Sequence, residues 1–280
     1  MVMKKLLCLI TIIIAASCDR TEKPEPVATT EFQAPFGNGK VDVKLSKVLF
    51  NGLLEVEYVY NDDVLAEERR YIASPTPQFS QHGIFKRNNG LLETYQAWLR
   101  PRDVTGSNPG DTLKDYYTLT FDPPKNDSLR YIKRQEGETG AKINRTVALD
   151  KSGYIIRQEY WYDNTPGNAT LQHYARNEKH NVTKTWTKTA SNPMLDEVRQ
   201  LYDDHPNPFF KLGMDAYGEM SIKSLSPNNV TQETFYAGGS PKSSTFYVYE
   251  YLPNGYPKKV TVRVESVNFP PYSYTMDFIY

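Results

Sequence analysis

The chain has 280 residues, with 33 Lys and Arg against 33 Asp and Glu and a formal net charge of zero. No basic block appears, which argues against a nucleic-acid partner. Twenty-one Tyr, twelve Phe and three Trp favour strands over helices.

Lys4 and Lys5 form a short positive region ahead of Leu6 to Ile14, an apolar run too short to span a bilayer. Ala15, Ala16 and Ser17 lead to Cys18, and Ile14-Ala15-Ala16-Ser17-Cys18 resembles the bacterial lipobox. Residues 1–17 therefore read as a lipoprotein signal peptide, with lipidation at Cys18 after cleavage. Two acyl chains, at about 0.8 kcal/mol per buried CH₂, anchor a protein without a spanning helix. The alternative is an ordinary secretory signal with a chance cysteine at its cut site. Cys8 falls in the leader, so the remaining chain would hold no disulfide and no thiolate metal site. Residues 18–32, with Thr, Lys, Glu and prolines, read as a disordered tether, and 33–280 as an antiparallel β domain.

Val41 to Phe50 and Leu53 to Tyr60 read as strands joined at Asn51-Gly52, a hairpin-turn signal. Leu91 to Leu99, Tyr116 to Phe121 and Leu129 to Arg134 follow. Thr146 to Leu149 and Tyr154 to Tyr162 flank Asp150-Lys151-Ser152-Gly153. Thr170 to Ala175 and Val182 to Thr187 come next, then Val230 to Tyr236 and Thr245 to Tyr251. Asn254-Gly255 separates the latter from Lys258 to Glu265, and Tyr274, Met276, Phe278 and Tyr280 alternate to the end. Pro193 to Tyr202 is the one helix candidate of substance, capped by Asn192, although from Glu197 it alternates well enough for a strand. A short helix around Pro208 to Gly213 is a further candidate. The expected fold is all-β: a curved antiparallel meander, open or half-barrel, with few short helices.

A loose repeat of alternating Tyr followed by a turn recurs at Tyr58-Val59-Tyr60-Asn61, Tyr160-Trp161-Tyr162-Asp163, Leu201-Tyr202-Asp203 and Tyr249-Glu250-Tyr251, and resembles the YD-type hairpin repeats of bacterial surface proteins. Tyr202-Asp203-Asp204-His205-Pro206-Asn207-Pro208-Phe209, Leu225 to Thr231 and Tyr249 to Pro257, together with the lipobox, resemble a Bacteroidota lipoprotein family of unknown function described as having a porin-like fold. The resemblance covers the signal and most of the second half; residues 63 to 140 are poorly covered. It implies an open, strongly curved antiparallel sheet and brings no catalytic residues with it.

The four histidines, His82, His173, His180 and His205, show no helical zinc spacing, and no nucleophile elbow or phosphate-cradling loop occurs. No cofactor is implied. Asp203 and Asp204 are candidate metal ligands near Asn207, but Asx turns account for them and for Asp62-Asp63 more simply. Glu67, Glu68, Arg69 and Arg70 read as a solvated charged face. Trp161 and Trp186 are the candidate binding residues if the aromatic richness serves a stacking platform; the structural reading is a half-buried sheet face suited to Tyr. Asp111-Thr112-Leu113 and Asp127-Ser128-Leu129 look like the O-glycosylation pattern of Bacteroidota exported proteins. The alternating end invites comparison with a membrane barrel, yet charge interrupts the strands, and the reading is a water-exposed sheet.

These observations point to a non-enzymatic lipoprotein of the bacterial cell envelope, at the outer membrane through its lipid anchor, serving as a binding or scaffold module for a glycan or an envelope protein. Two alternatives are a glycan-binding accessory of a nutrient-uptake system and a hydrolase with a triad assembled from distant strands.

Overall fold

A computed structural model describes residues 43–72, 74–76, 78–88, 91–99, 114–122, 128–135, 142–165, 167–189, 196–210, 212 and 224–280. The leader, Cys18, the tether 18–32 and Thr112 lie outside them. Among the described residues, sixteen strands follow one another: β1 (Lys47–Phe50), β2 (Leu53–Asn61), β3 (Val64–Ile72), β4 (Gln78–Asn88), β5 (Leu91–Leu99), β6 (Lys114–Phe121), β7 (Ser128–Gln135), β8 (Lys142–Leu149), β9 (Ile155–Tyr162), β10 (Thr170–Arg176), β11 (Val182–Thr189), β12 (Asp196–Pro206), β13 (Asn228–Ala237), β14 (Ser240–Tyr251), β15 (Pro257–Ser266) and β16 (Tyr272–Ile279).

Each strand pairs antiparallel with its sequence neighbours, the all-β meander that alternation implies. Its two edges, which the sequence reading leaves open or half-closed, meet. β1 pairs β16 in the register Lys47↔Ile279, Val48↔Phe278, Leu49↔Asp277 and Phe50↔Met276, closing a barrel. The Ser46 amide donates to the Ile279 carbonyl at 2.7 Å, and the Asn51 amide to the Thr275 carbonyl at 2.8 Å, so the seam is bonded from end to end. Asn51 and Gly52 both have positive φ, 48° and 79°, the primed turn that matches strand twist.

The helix candidate Pro193 to Tyr202 is corrected from Asp196 onward, residues 193–195 lying outside the described ones, and no helix occurs among the described residues. From Asp196 onward the segment is β12, paired with β11 on one side and β13 on the other. Its alternation decides the outcome. Gln200 is buried while Leu201 is 61% exposed, the reverse of a helical apolar stripe. Around Pro208 the chain makes turns, with the Phe210 amide on the Asn207 carbonyl and the Leu212 amide on Phe209. Strands β3 and β4 occupy the stretch that carried no strand expectation. There the run from Glu67 to Arg70 divides by face: Glu67 and Arg69 keep solvent, and Glu68 is fully buried.

The buried face gathers Val48, Val56, Tyr58, Leu65, Tyr95, Leu119, Val147, Ile155, Tyr174, Tyr247, Val260 and Val262, which the register places in shared rows and which form one core. In a closed sheet the face that loses water is the inner one. Four tyrosines lock its strands at the end where β1 begins, hereafter the proximal end. Tyr60 donates to the Leu45 carbonyl, Tyr202 to Val182, Tyr249 to Val230 and Tyr280 to Pro257, at 2.6 to 3.0 Å. Each ring fills apolar space while its hydroxyl satisfies a main-chain acceptor on the adjacent strand.

The outer face is charged. Lys47, Glu57, Arg69 and Glu67 run as a chain of ion pairs at 3.0 to 3.6 Å across β1 to β3, and His82 on β4 stands 3.0 Å from Glu67. Lys184–Glu197 and Lys259–Asp277 bridge β11–β12 and β15–β16. Exposed pairs of this kind contribute little stability, at most about 1 kcal/mol each. They interrupt, at these strands, an outer face that also carries exposed Leu201, Val248 and Ile279.

Closure has a direct test. In protein carrying Leu49→Cys and Asp277→Cys, with Cys8 and Cys18 both replaced by Ala, mild oxidation should form an intramolecular disulfide, because directly paired strand residues have the required Cα separation. An open edge would leave both thiols titratable. A second expectation concerns alkaline pH. Burial pushes the hydroxyls of Tyr60, Tyr202, Tyr247, Tyr249 and Tyr280 well above the ordinary tyrosine range. The folded state thus holds protons that the unfolded chain releases near pH 10, and stability falls as pH rises above that value. Tyrosinate absorbance should rise together with loss of the sheet signal; stepwise titration of the tyrosines with the sheet intact would contradict the packing.

Candidate functional site

The proximal end is where the most individual sequence motif lies, and the structure gives it a mechanical role. Arg176 sits at its centre. The guanidinium donates to the carbonyls of Ile155 at 3.1 Å, His180 at 2.5 Å and Leu225 at 2.8 Å, and lies over the Tyr154 ring. One side chain therefore ties the β8–β9, β10–β11 and β12–β13 connections together. Burial lowers its pKa to about 10 against the opposing pull of Asp150, and the three acceptors stabilise the charge that remains. Asparagines complete the lattice. Asn181 and Asn228 exchange side-chain and main-chain bonds, Asn207 Nδ2 donates to the Ser226 carbonyl, and Asn229 Nδ2 reaches the carbonyls of His205 and Pro206. Leu212 and Leu225 are buried beneath, and Phe209 meets the edge of Phe278. The Pro-Asn-Pro turn places Phe209 against Phe278 at this end of the barrel, beside a cavity that Asn229, Tyr247 and Tyr249 also line.

Asp203 and Asp204 are adjacent in sequence and divergent in space. Asp203 caps a turn by accepting the His205 amide at 2.9 Å and also accepts the Tyr251 hydroxyl. Asp204 is exposed and pairs with Lys179 at 2.5 Å. Among the described residues no group of three or more His, Cys, Asp or Glu side chains is placed to hold a metal ion.

The tryptophans lie on the outer face. Trp161 is opposite Asn144 on β8, and Trp186 is opposite His173 on β10 and Glu197 on β12. Trp186 stacks on His173 with ring centroids 5.1 Å apart, and the Lys184 ammonium lies 5.5 Å from its centroid. Strand β10 separates β9 from β11, and four residues of offset along the strand add to that. The two candidates therefore do not form one platform. Ser128 opens β7 rather than standing in a loop.

The histidines are also dispersed. His82 Nε2 is 3.0 Å from Glu67 Oε2, and its ring is 5.8 Å from Trp98. Burial works against the Glu67 charge, but the bonds from His82 and Arg69 outweigh it and hold the carboxyl below its ordinary value. His180 stacks on Tyr154 at 4.3 Å and His205 on Tyr251 at 3.8 Å.

A second charged cluster is sealed inside. Tyr95 donates to Glu68 Oε1 at 2.8 Å, Gln81 Nε2 donates to the Tyr95 hydroxyl at 3.0 Å, and Arg70 Nε stands 3.7 Å from Glu68. Burial raises the Glu68 pKa against the pull of Arg70. Gly83 makes room for Tyr95: a Cβ there would come within 2.3 Å of the hydroxyl. With Glu68 and Tyr95 both fully buried, the cluster organises the core and offers no surface to a ligand.

What the structure does bring together is a run of aromatic rings along the inner face. Tyr251, Tyr249 and Tyr247 stack in order up β14, at 5.7 and 6.5 Å. Across Val262 lies Tyr274, which touches Phe50 at 4.8 Å and continues to Tyr272 at 6.4 Å and Phe269 at 5.8 Å. The run begins sealed, with Tyr247 8% exposed, and ends at the opposite, distal end of the barrel with Tyr272 at 50% and Phe269 at 45%. Every second residue from Tyr247 to Tyr251 and from Tyr272 to Tyr280 carries the signal in sequence. It reads there as strand alternation, because nothing local tells the inner face from the outer.

No family model and no curated protein matches the chain. Among solved structures, a porin-like protein from Bacteroides uniformis is similar at a TM-score of 0.37 and 15% identity, over 85% of this chain and 98% of that one. A porin-like protein from Bacteroides vulgatus is similar at a TM-score of 0.41 and 11% identity, over 85% and 99%. Likeness at these values transfers neither a family nor an activity.

Proposed function

We propose that the protein is a non-enzymatic lipoprotein of the bacterial cell envelope, a binding or scaffold module held at the outer membrane by acyl chains on Cys18. The observation that carries this reading is the ion-paired outer face. Ion pairs on β1–β3, β11–β12 and β15–β16 break any continuous apolar band around the wall, so membrane attachment would come from elsewhere in the chain. The segment from Lys4 to Cys18 has the residue types to supply it.

A second reading, a glycan-binding accessory of a nutrient-uptake system, is favoured by one observation: aromatic rings stand half-exposed at the distal mouth. The tryptophan pair does not favour it, since those residues lie apart on the outer wall.

Replacement of Cys18 by Ala should abolish incorporation of labelled palmitate and move the protein from the membrane to the soluble fraction. Unchanged membrane attachment of Cys18→Ala would refute the anchor.

A further inference from the structure

We propose that the distal mouth is a stacking site for a neutral saccharide chain, built from Tyr272, Tyr274 and Phe269. The assignment deepens the glycan reading above and rests on it.

Three features define the site. The rings are accessible: Tyr272 is 50% and Phe269 45% exposed, and Tyr274 behind them is partly exposed. They are also held in place. Tyr272 and Tyr274 are paired residues of β16, opposite the buried Val264 and Val262, and Phe50 backs Tyr274 at 4.8 Å. Phe269 rides on a turn whose backbone is fixed by Pro270 and Pro271 and by bonds from the Val267 amide to the Lys242 carbonyl and from the Asn268 amide to Ser266 Oγ. Binding therefore orders little that is not already ordered. Finally, the polar groups beside the rings include uncharged ones: Ser243 and Ser266 face one another across β14 and β15, and Asn268 is exposed at the tip.

Those properties select among ligands. A sugar ring presents C–H bonds on its faces, which pack on aromatic faces, and hydroxyls at its rim, which bond to Ser and Asn. An extended peptide gains its affinity by adding a strand to a free sheet edge. Closure of β1 onto β16 removes that edge. A site for an anionic membrane surface would carry a cluster of Lys and Arg, whereas residues 266–273 hold none.

The test uses the detergent-solubilised lipoprotein in native affinity gels containing laminarin, mixed-linkage β-glucan, xylan, galactomannan or amylopectin. Retardation by at least one polysaccharide is expected. Tyr272→Ala and Phe269→Ala should each weaken it roughly tenfold, with melting curves unchanged because both rings are half-exposed. Tyr272→Phe should keep it, and Trp161→Ala and Trp186→Ala should leave it unaltered. Loss in a tryptophan variant with full binding by Tyr272→Ala would overturn the mouth site and leave the glycan reading standing. No retardation by any polysaccharide would overturn both, with the lipid anchor judged separately through Cys18→Ala. Capture by phosphatidylcholine vesicles that disappears in Phe269→Ala would also overturn the site, reassigning the tip to lipid.

Discussion

The pairing of β1 with β16 is the contact on which the other features depend. Cys8 and Cys18 are the only cysteines of the chain and both precede the barrel, so no disulfide staples the sheet. Main-chain bonding and burial have to hold a long meander together, and an unpaired edge would weaken both. It would expose a row of amides and carbonyls and open the inner face to water. Four residues of β1 meet four of β16, and the Asn51 side chain returns to the Thr275 amide at 2.8 Å. With the seam made, each described strand has a neighbour on both sides, and inner and outer faces become distinct environments.

That distinction explains how the tyrosines are used. A closed sheet this wide cannot be filled by aliphatic side chains alone without leaving the ends loose. Tyr60, Tyr202, Tyr249 and Tyr280 fill space and also bond to a carbonyl of the adjoining strand at the proximal end. The recurring Tyr-turn pattern thus has a physical content at three of its instances, the ends of β2, β12 and β14. The fourth instance, Tyr160 to Tyr162, lies at the distal end of β9, where Tyr162 is 45% exposed.

The two ends are built for different work. Proximally, Arg176 and the asparagines satisfy the carbonyls and amides of several connections at once, which a buried loop requires. That end is the one from which the chain leaves toward its amino terminus. Distally, Phe269 and Tyr272 stand half-exposed at the connection between β15 and β16.

What was legible in the sequence follows the range of the physics involved. Alternation is local, and it located β2, β5, β6 and β13 to β16 to within a few residues. Turn chemistry is local too, and Asn51-Gly52, Gly153 and Gly255 take the positive φ their sequences call for. Strand β12 escaped because a helical and a strand pattern coexist in Asp196 to Tyr202, and only pairing with β11 and β13 settles it. Glu68 reads as a surface charge until the register turns it inward against Tyr95. Trp186 and Tyr272 are alike in sequence, each aromatic on an alternating strand. Which faces water from the wall and which from the mouth depends on the sense of sheet curvature and on closure across more than two hundred residues, and no local pattern encodes either. The sequence by itself thus determined most of the strands and the turns between them; the tertiary structure alone decided the closed seam, the inside and the outside, and the place where aromatic rings come together.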